Sequence, residues 1–118
     1  MSRQSGILGL FNMVEIRNLA NLASYRKLKR NEALCSQGDK AGSIFIVLSG
    51  LAGVIVNGKN VAYITRGQEI GELGLISNFA LYRTATIVAH YDFEVAEIKY
   101  DDFYDFFEML RPERAKRV

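Results

Sequence analysis

The sequence predicts a mainly β domain, a barrel or jelly roll, with a helix at each end. Short runs rich in β-branched and aromatic residues fill the middle of the chain, and turns bearing glycine, asparagine or aspartate separate them. Helical periodicity is confined to the two ends. A chain of 118 residues that is 49% hydrophobic and 24% charged is long enough, and apolar enough, to bury one core, so residues 1–118 are read as a single domain.

The first element is a helix. Asn12 is placed to cap it, Glu15 to reach back to the cap backbone, and Phe11 and Ile16 to close a hydrophobic staple. Ile16, Leu19, Ala20 and Ala23 continue at helical spacing, and the helix is expected to fade near Ser24. From Tyr25 the period changes. Ser43–Leu48, Val54–Val56, Val61–Ile64, Thr84–Val88 and Phe93–Ile98 read as strands. Gln37-Gly38-Asp39, Ser49-Gly50, Asn57-Gly58-Lys59 and Thr65-Arg66-Gly67 read as turns. Of these, Asn57-Gly58 is the strongest hairpin signal, because both residues tolerate positive φ. The last element is a helix with Asp101 or Asp102 as its cap. Phe103, Phe106, Phe107 and Leu110 share one apolar face, and Pro112 is expected to break this helix or open another.

Composition excludes several classes of function. A formal net charge of +2 is too small to demand a polyanionic partner. The single cysteine, Cys35, forbids an intrachain disulfide and suits a reducing, cytoplasmic setting. It reads as a small buried or half-buried thiol without a basic neighbour. The single histidine, His90, reads as a strand-end residue and cannot supply the donors of a cupin-like metal centre, so neither a metal site nor a catalytic residue is expected. No run approaches the roughly 20 apolar residues of a membrane helix, and Met1–Leu10 does not read as a leader.

One segment fits neither a plain strand nor a plain turn. Gly67-Gln68-Glu69-Ile70-Gly71-Glu72-Leu73-Gly74-Leu75-Ile76 carries three glycines in eight residues between strand regions. Such a backbone brings N–H groups close to an anion where a short helix begins. Downstream, Arg83 offers a guanidinium that clamps phosphate through paired hydrogen bonds. Glu72 would repel phosphate but can accept from a sugar hydroxyl. Together these suit a phosphorylated sugar ring; on spacing alone the glycines also read as ordinary turn punctuation.

Ile70-Gly71-Glu72-Leu73-Gly74-Leu75-Ile76 followed by Arg83-Thr84-Ala85-Thr86 resembles the phosphate-binding cassette of cyclic nucleotide-binding domains. This family occurs in the catabolite activator protein, in protein kinase regulatory subunits and in cyclic nucleotide-gated channels. Gln37-Gly38-Asp39, Ile44–Gly50 and Gly67 also resemble family motifs, in the family order, so the resemblance runs from about Leu10 to Pro112. It implies an eight-stranded β-roll with flanking helices that binds cAMP or cGMP without altering it, and no further cofactor. It also implies roles for particular residues. Gly71, Leu73 and Gly74 line the cyclic phosphate with backbone groups, Arg83 pairs with an exocyclic oxygen, and Thr84 adds its amide and hydroxyl. Glu72 holds the ribose 2′-hydroxyl, and Val54, Val56, Ala62 and Ile64 face the base.

The chain departs from the family in three places. Ten residues separate Glu72 from Arg83, more than is usual, and Tyr82 stands where proline is frequent. After Pro112 only Glu113–Val118 follow, so the helix that closes over the base is expected to be truncated or absent. Family prevalence places cAMP slightly ahead, whereas Arg83-Thr84-Ala85 looks like the cGMP-binding members. The resulting expectation is a non-catalytic sensor that regulates a partner protein or an attached domain, with no helix-turn-helix after Leu110 for DNA. The alternative is an interaction domain that keeps the fold and has lost the ligand.

Overall fold

A computed structural model of the chain describes residue 9, residues 11–71 and residues 82–116. The order of elements is α1 (Met13–Ala20), β1 (Ser24–Leu28), β2 (Ala33–Cys35), β3 (Ser43–Ser49), β4 (Leu51–Val56), β5 (Lys59–Thr65), β6 (Glu69–Ile70), β7 (Thr86–Ala89), β8 (Phe93–Lys99) and α2 (Tyr100–Lys116). Among the described residues the strands form two four-stranded antiparallel sheets, ordered β1-β8-β3-β6 and β2-β7-β4-β5. This is the β-roll with a helix before it and a helix after it.

The start of α1 forms as its residues require. Asn12 Oδ1 accepts from the Glu15 amide at 2.8 Å, and Glu15 Oε1 accepts from the Asn12 amide at 3.0 Å. Asn57 and Gly58, at φ 51° and 82°, make the tight β4–β5 turn. The side chain of Gln37 braces that turn through two bonds to Asn57, at 2.9 and 2.8 Å.

Other elements differ from the sequence reading. β1, β2 and β6 had no periodic signal. β1 buries only Leu28, β2 has three residues and β6 two, and each exists because a neighbouring strand offers its edge. β7 begins at Thr86 rather than Thr84, because the main chain of Arg83 is engaged elsewhere: its amide donates to Asp39 O at 2.7 Å and its carbonyl accepts from Gly38 N at 2.8 Å. Asp101 and Asp102 lie inside the first turn of α2, where their charge still suits the positive helix end. Pro112 neither ends α2 nor opens a new helix. The helix runs through it to Lys116 and accepts the loss of the one main-chain donor that a proline lacks. No helix among the described residues is long and apolar enough to cross a membrane.

The buried residues fall into two clusters on opposite faces of the β1-β8-β3-β6 sheet. Phe45, Val47, Phe93 and Val95 point into the roll and meet Leu28, Leu34, Ala52, Ile87 and Ala89. Ile44 and Ile98, directly paired across β3 and β8, point the other way and meet Phe11, Leu19, Phe103 and Phe106. Alternation along β3 and β8 thus ties both flanking helices to the back of the sheet whose front closes the roll.

The β3–β4 turn depends on Gly50. Its φ is +96°, and a Cβ there would stand 2.2 Å from the carbonyl oxygen of Asp92. Gly50→Ala should therefore lower unfolding stability by roughly 2–3 kcal/mol, from dihedral strain and a clash with backbone that cannot rotate away. Urea denaturation reads this directly, and a midpoint equal to that of the wild type would show that the turn reopens without strain.

Candidate functional site

The site is built where the end of β6 meets the start of β7. Gly71 follows β6 with φ +95°. A Cβ at this position would lie 2.6 Å from Arg83 Nη1 and 2.9 Å from the Ser43 carbonyl oxygen, so both the dihedral and the close approach select glycine. The phenol of Tyr100, the first residue of α2, donates to the Gly71 carbonyl at 2.6 Å. This bond joins the site directly to the C-terminal helix.

Arg83 is only 9% exposed. Its guanidinium lies over the Phe45 ring at 4.9 Å from the centroid, and Nη2 donates to Ser43 Oγ at 3.2 Å. Nη1 is buried beside Gly71 and has no hydrogen-bond partner among the described residues. A buried, charged donor left unpaired is costly, and the natural remedy is an anion. The loop that precedes β3 holds the Arg83 backbone in place through the Gly38 and Asp39 bonds, which is the structural use of the Gly38-Asp39 turn.

Around Arg83 lies a polar network that the sequence reading did not find. Ser43 Oγ donates to Glu97 Oε2 at 2.7 Å, and Glu97 Oε1 meets Arg26 Nη1 at 3.4 Å. Glu97 is paired with Phe45 across β8 and β3, and Arg26 with Val95 across β1 and β8, so these charges sit on the face that otherwise builds the interior of the roll. The available signal was the charge itself: Glu97 follows Val95 by two residues, on the same face of a strand. A cavity of about 330 Å³ opens here, with Lys40 and Lys99 at its rim. Cys35 also lines it, half-buried, with Sγ 3.7 Å from the Ala85 carbonyl. Burial pushes its thiol pKa up, against the opposing pull of Arg83, so a basic neighbour is present after all.

The positions assigned to the base lie on the β4–β5 hairpin. Val54 pairs with Ala62, and Ile64 with Ala52. Val54 and Ile64 pack on the interior cluster that contains Phe45, which puts them in the same packed core as the floor beneath Arg83. Ala62 is exposed, and Val56 is half-buried near the hairpin end, opposite Lys59. Thr84 is exposed. Gly71 and Arg83 are thus brought together, while Glu72, Leu73 and Gly74 lie outside the described residues. His90 packs on the Tyr63 ring at 5.5 Å between centroids, at the end of β7. No group of three histidine, cysteine, aspartate or glutamate residues among those described is arranged to hold a metal ion.

A family model described as the cyclic nucleotide-binding domain matches residues 25–109, which include every element from β1 to most of α2. The chain belongs to the cyclic nucleotide-binding domain family. A cGMP-dependent protein kinase of Eimeria tenella is 43% identical over 76 residues, covering 64% of this chain and 7% of that protein. The chain therefore spans less than a tenth of that relative's length. Among solved structures, "cAMP bound PfPKA-R (141-441)" superposes with a TM-score of 0.76 at 22% identity, covering 94% of this chain and 39% of that one. The catabolite activator protein of Thermus thermophilus gives a TM-score of 0.74 at 21% identity, covering 85% and 48%. These likenesses establish the shared fold of a cyclic nucleotide-binding domain.

Proposed function

We propose that this domain binds a cyclic nucleotide, leaves it chemically unchanged, and uses it to regulate an attached domain or a partner protein. The observation that carries this reading is Arg83: a buried guanidinium with one nitrogen anchored on Ser43 and the other, beside Gly71, without a partner among the described residues. The cyclic phosphate would supply the missing acceptor. Backbone groups at Gly71, Leu73 and Gly74 would complete its cradle, Glu72 would accept from the ribose 2′-hydroxyl, and Val54, Val56, Ala62 and Ile64 would face the base. Binding would reach α2 through the Tyr100–Gly71 bond, shifting the population of α2 positions. Calorimetric titration of the chain with cAMP and cGMP tests the reading; heat with neither nucleotide would leave the interaction domain without ligand as the better account.

Of the two nucleotides, cGMP is the better supported. The Eimeria tenella relative is a cGMP-dependent kinase, and Thr84, next to Arg83, is exposed, which is compatible with contact to a ligand. Guanine carries a 2-amino donor that adenine lacks, and a hydroxyl accepts from it when the base lies syn over the phosphate. Thr84→Ala should then weaken cGMP by about 2- to 12-fold, the worth of one neutral hydrogen bond, and leave cAMP nearly unchanged. Equal losses for both nucleotides would confine the hydroxyl to the phosphate.

A further inference from the structure

We infer that Glu97, acting through Ser43, is a positioning residue for the phosphate-binding guanidinium of Arg83. This rests on the reading that Arg83 meets the cyclic phosphate. The four side chains form one continuous chain: Arg26 Nη1 to Glu97 Oε1 at 3.4 Å, Glu97 Oε2 from Ser43 Oγ at 2.7 Å, and Ser43 Oγ from Arg83 Nη2 at 3.2 Å. The hydroxyl of Ser43 has a single proton. Once the carboxylate takes it, the oxygen facing Arg83 is left as an acceptor only. Glu97 thereby fixes which way Ser43 points, and Ser43 fixes Nη2. With Nη2 held and the Phe45 ring beneath the guanidinium, Nη1 is turned toward Gly71, where it has no partner among the described residues.

The charge arrangement gives Glu97 a second task. Arg26 and Arg83 both lie over Phe45, at 5.8 and 4.9 Å from its centroid. Two guanidiniums over one ring repel each other, and Glu97 is the carboxylate bonded to the network that joins them. Its neutral isostere would remove the negative charge between the two guanidiniums and, being able to donate as well as accept, would no longer fix which way the Ser43 proton points. The Arg83 guanidinium would then be less firmly oriented against the push of Arg26. Because ordering of a binding group before the ligand arrives saves that ordering on binding, the relay should raise affinity for any ligand carrying the same phosphate.

Two measurements on the full chain decide the matter, with folding of each variant checked by thermal unfolding. In the ligand-free protein, the Nη resonances of Arg83 should be resolved at low temperature, reporting a guanidinium that does not rotate freely. They should collapse in Glu97→Gln and in Ser43→Ala. Persistence of the resolved signals in both variants overturns the inference, whether or not any nucleotide binds. In titrations, Glu97→Gln should weaken cAMP and cGMP alike by about tenfold, the scale of one charge-assisted hydrogen bond, leaving the ratio of the two affinities unchanged. The same substitution placed on Arg83→Ala should change nothing further. An equal loss in both backgrounds would make Glu97 a general structural residue and overturn the positioning role. If Arg83→Ala alone binds as tightly as the wild type, it is the phosphate role of Arg83 that fails, and the resonance measurement still decides whether Glu97 orders the guanidinium.

Discussion

Arg83→Ala is expected to reduce cyclic nucleotide affinity by about 30- to several-thousand-fold, corresponding to about 2–5 kcal/mol for truncating one side of a buried charged pair. The size follows from burial. Arg83 is 9% exposed, so water cannot replace the lost guanidinium against the phosphate at full strength. The fold should survive, because Glu97 keeps Arg26 as its partner and the Phe45 ring stays packed in the interior cluster. Isothermal titration with both nucleotides measures the loss, and circular dichroism checks the fold. A dissociation constant equal to the wild type's would place the phosphate elsewhere.

Phe103→Ala is expected to lower unfolding stability by about 3–5 kcal/mol, the range for emptying a fully buried aromatic site. Phe103 is 0% exposed and packs with Leu19, Ile44 and Ile98. Its ring lies 6.0 Å from Phe11 and 6.5 Å from Phe106, so one side chain joins the entry to α1, the inner face of α2 and the back of the sheet. For a domain whose whole stability is about 5–15 kcal/mol, that is a large share. Chemical denaturation gives the value directly. A loss under about 1 kcal/mol would mean that the neighbouring phenylalanines collapse into the space.

The helices were legible because they announce themselves locally: Asn12 and Glu15 form a capping box from four adjacent residues, and Phe103, Phe106 and Leu110 mark one face of α2. The long strands β3 and β8 were legible from β-branched and apolar runs. β1, β2 and β6 were not, since Ser24–Leu28 is largely polar and Glu69–Ile70 is too short for any periodicity; their partners, not their own residues, make them strands. At the site, Gly71 and Arg83 stood out by motif. Ser43, Glu97 and Arg26 did not, because they reach Arg83 only after three strands pair side by side. Pro112 misled for a related reason: its local rule describes a lone helix, whereas α2 is pinned to the sheet by Phe103 and Phe106.

The division of the apolar residues between the two faces of the β1-β8-β3-β6 sheet has a consequence for cooperativity. A domain with one continuous core opens all at once, whereas here the helix-side cluster can loosen while the strands remain hydrogen-bonded around the roll. Amides of α1 and α2 should therefore exchange with solvent through openings smaller than global unfolding, and those of β3 and β8, which feed side chains to both clusters, only through the largest. On this layout the helix side should melt separately from the roll, and the Tyr100 phenol on the Gly71 carbonyl is one link that such an opening would break.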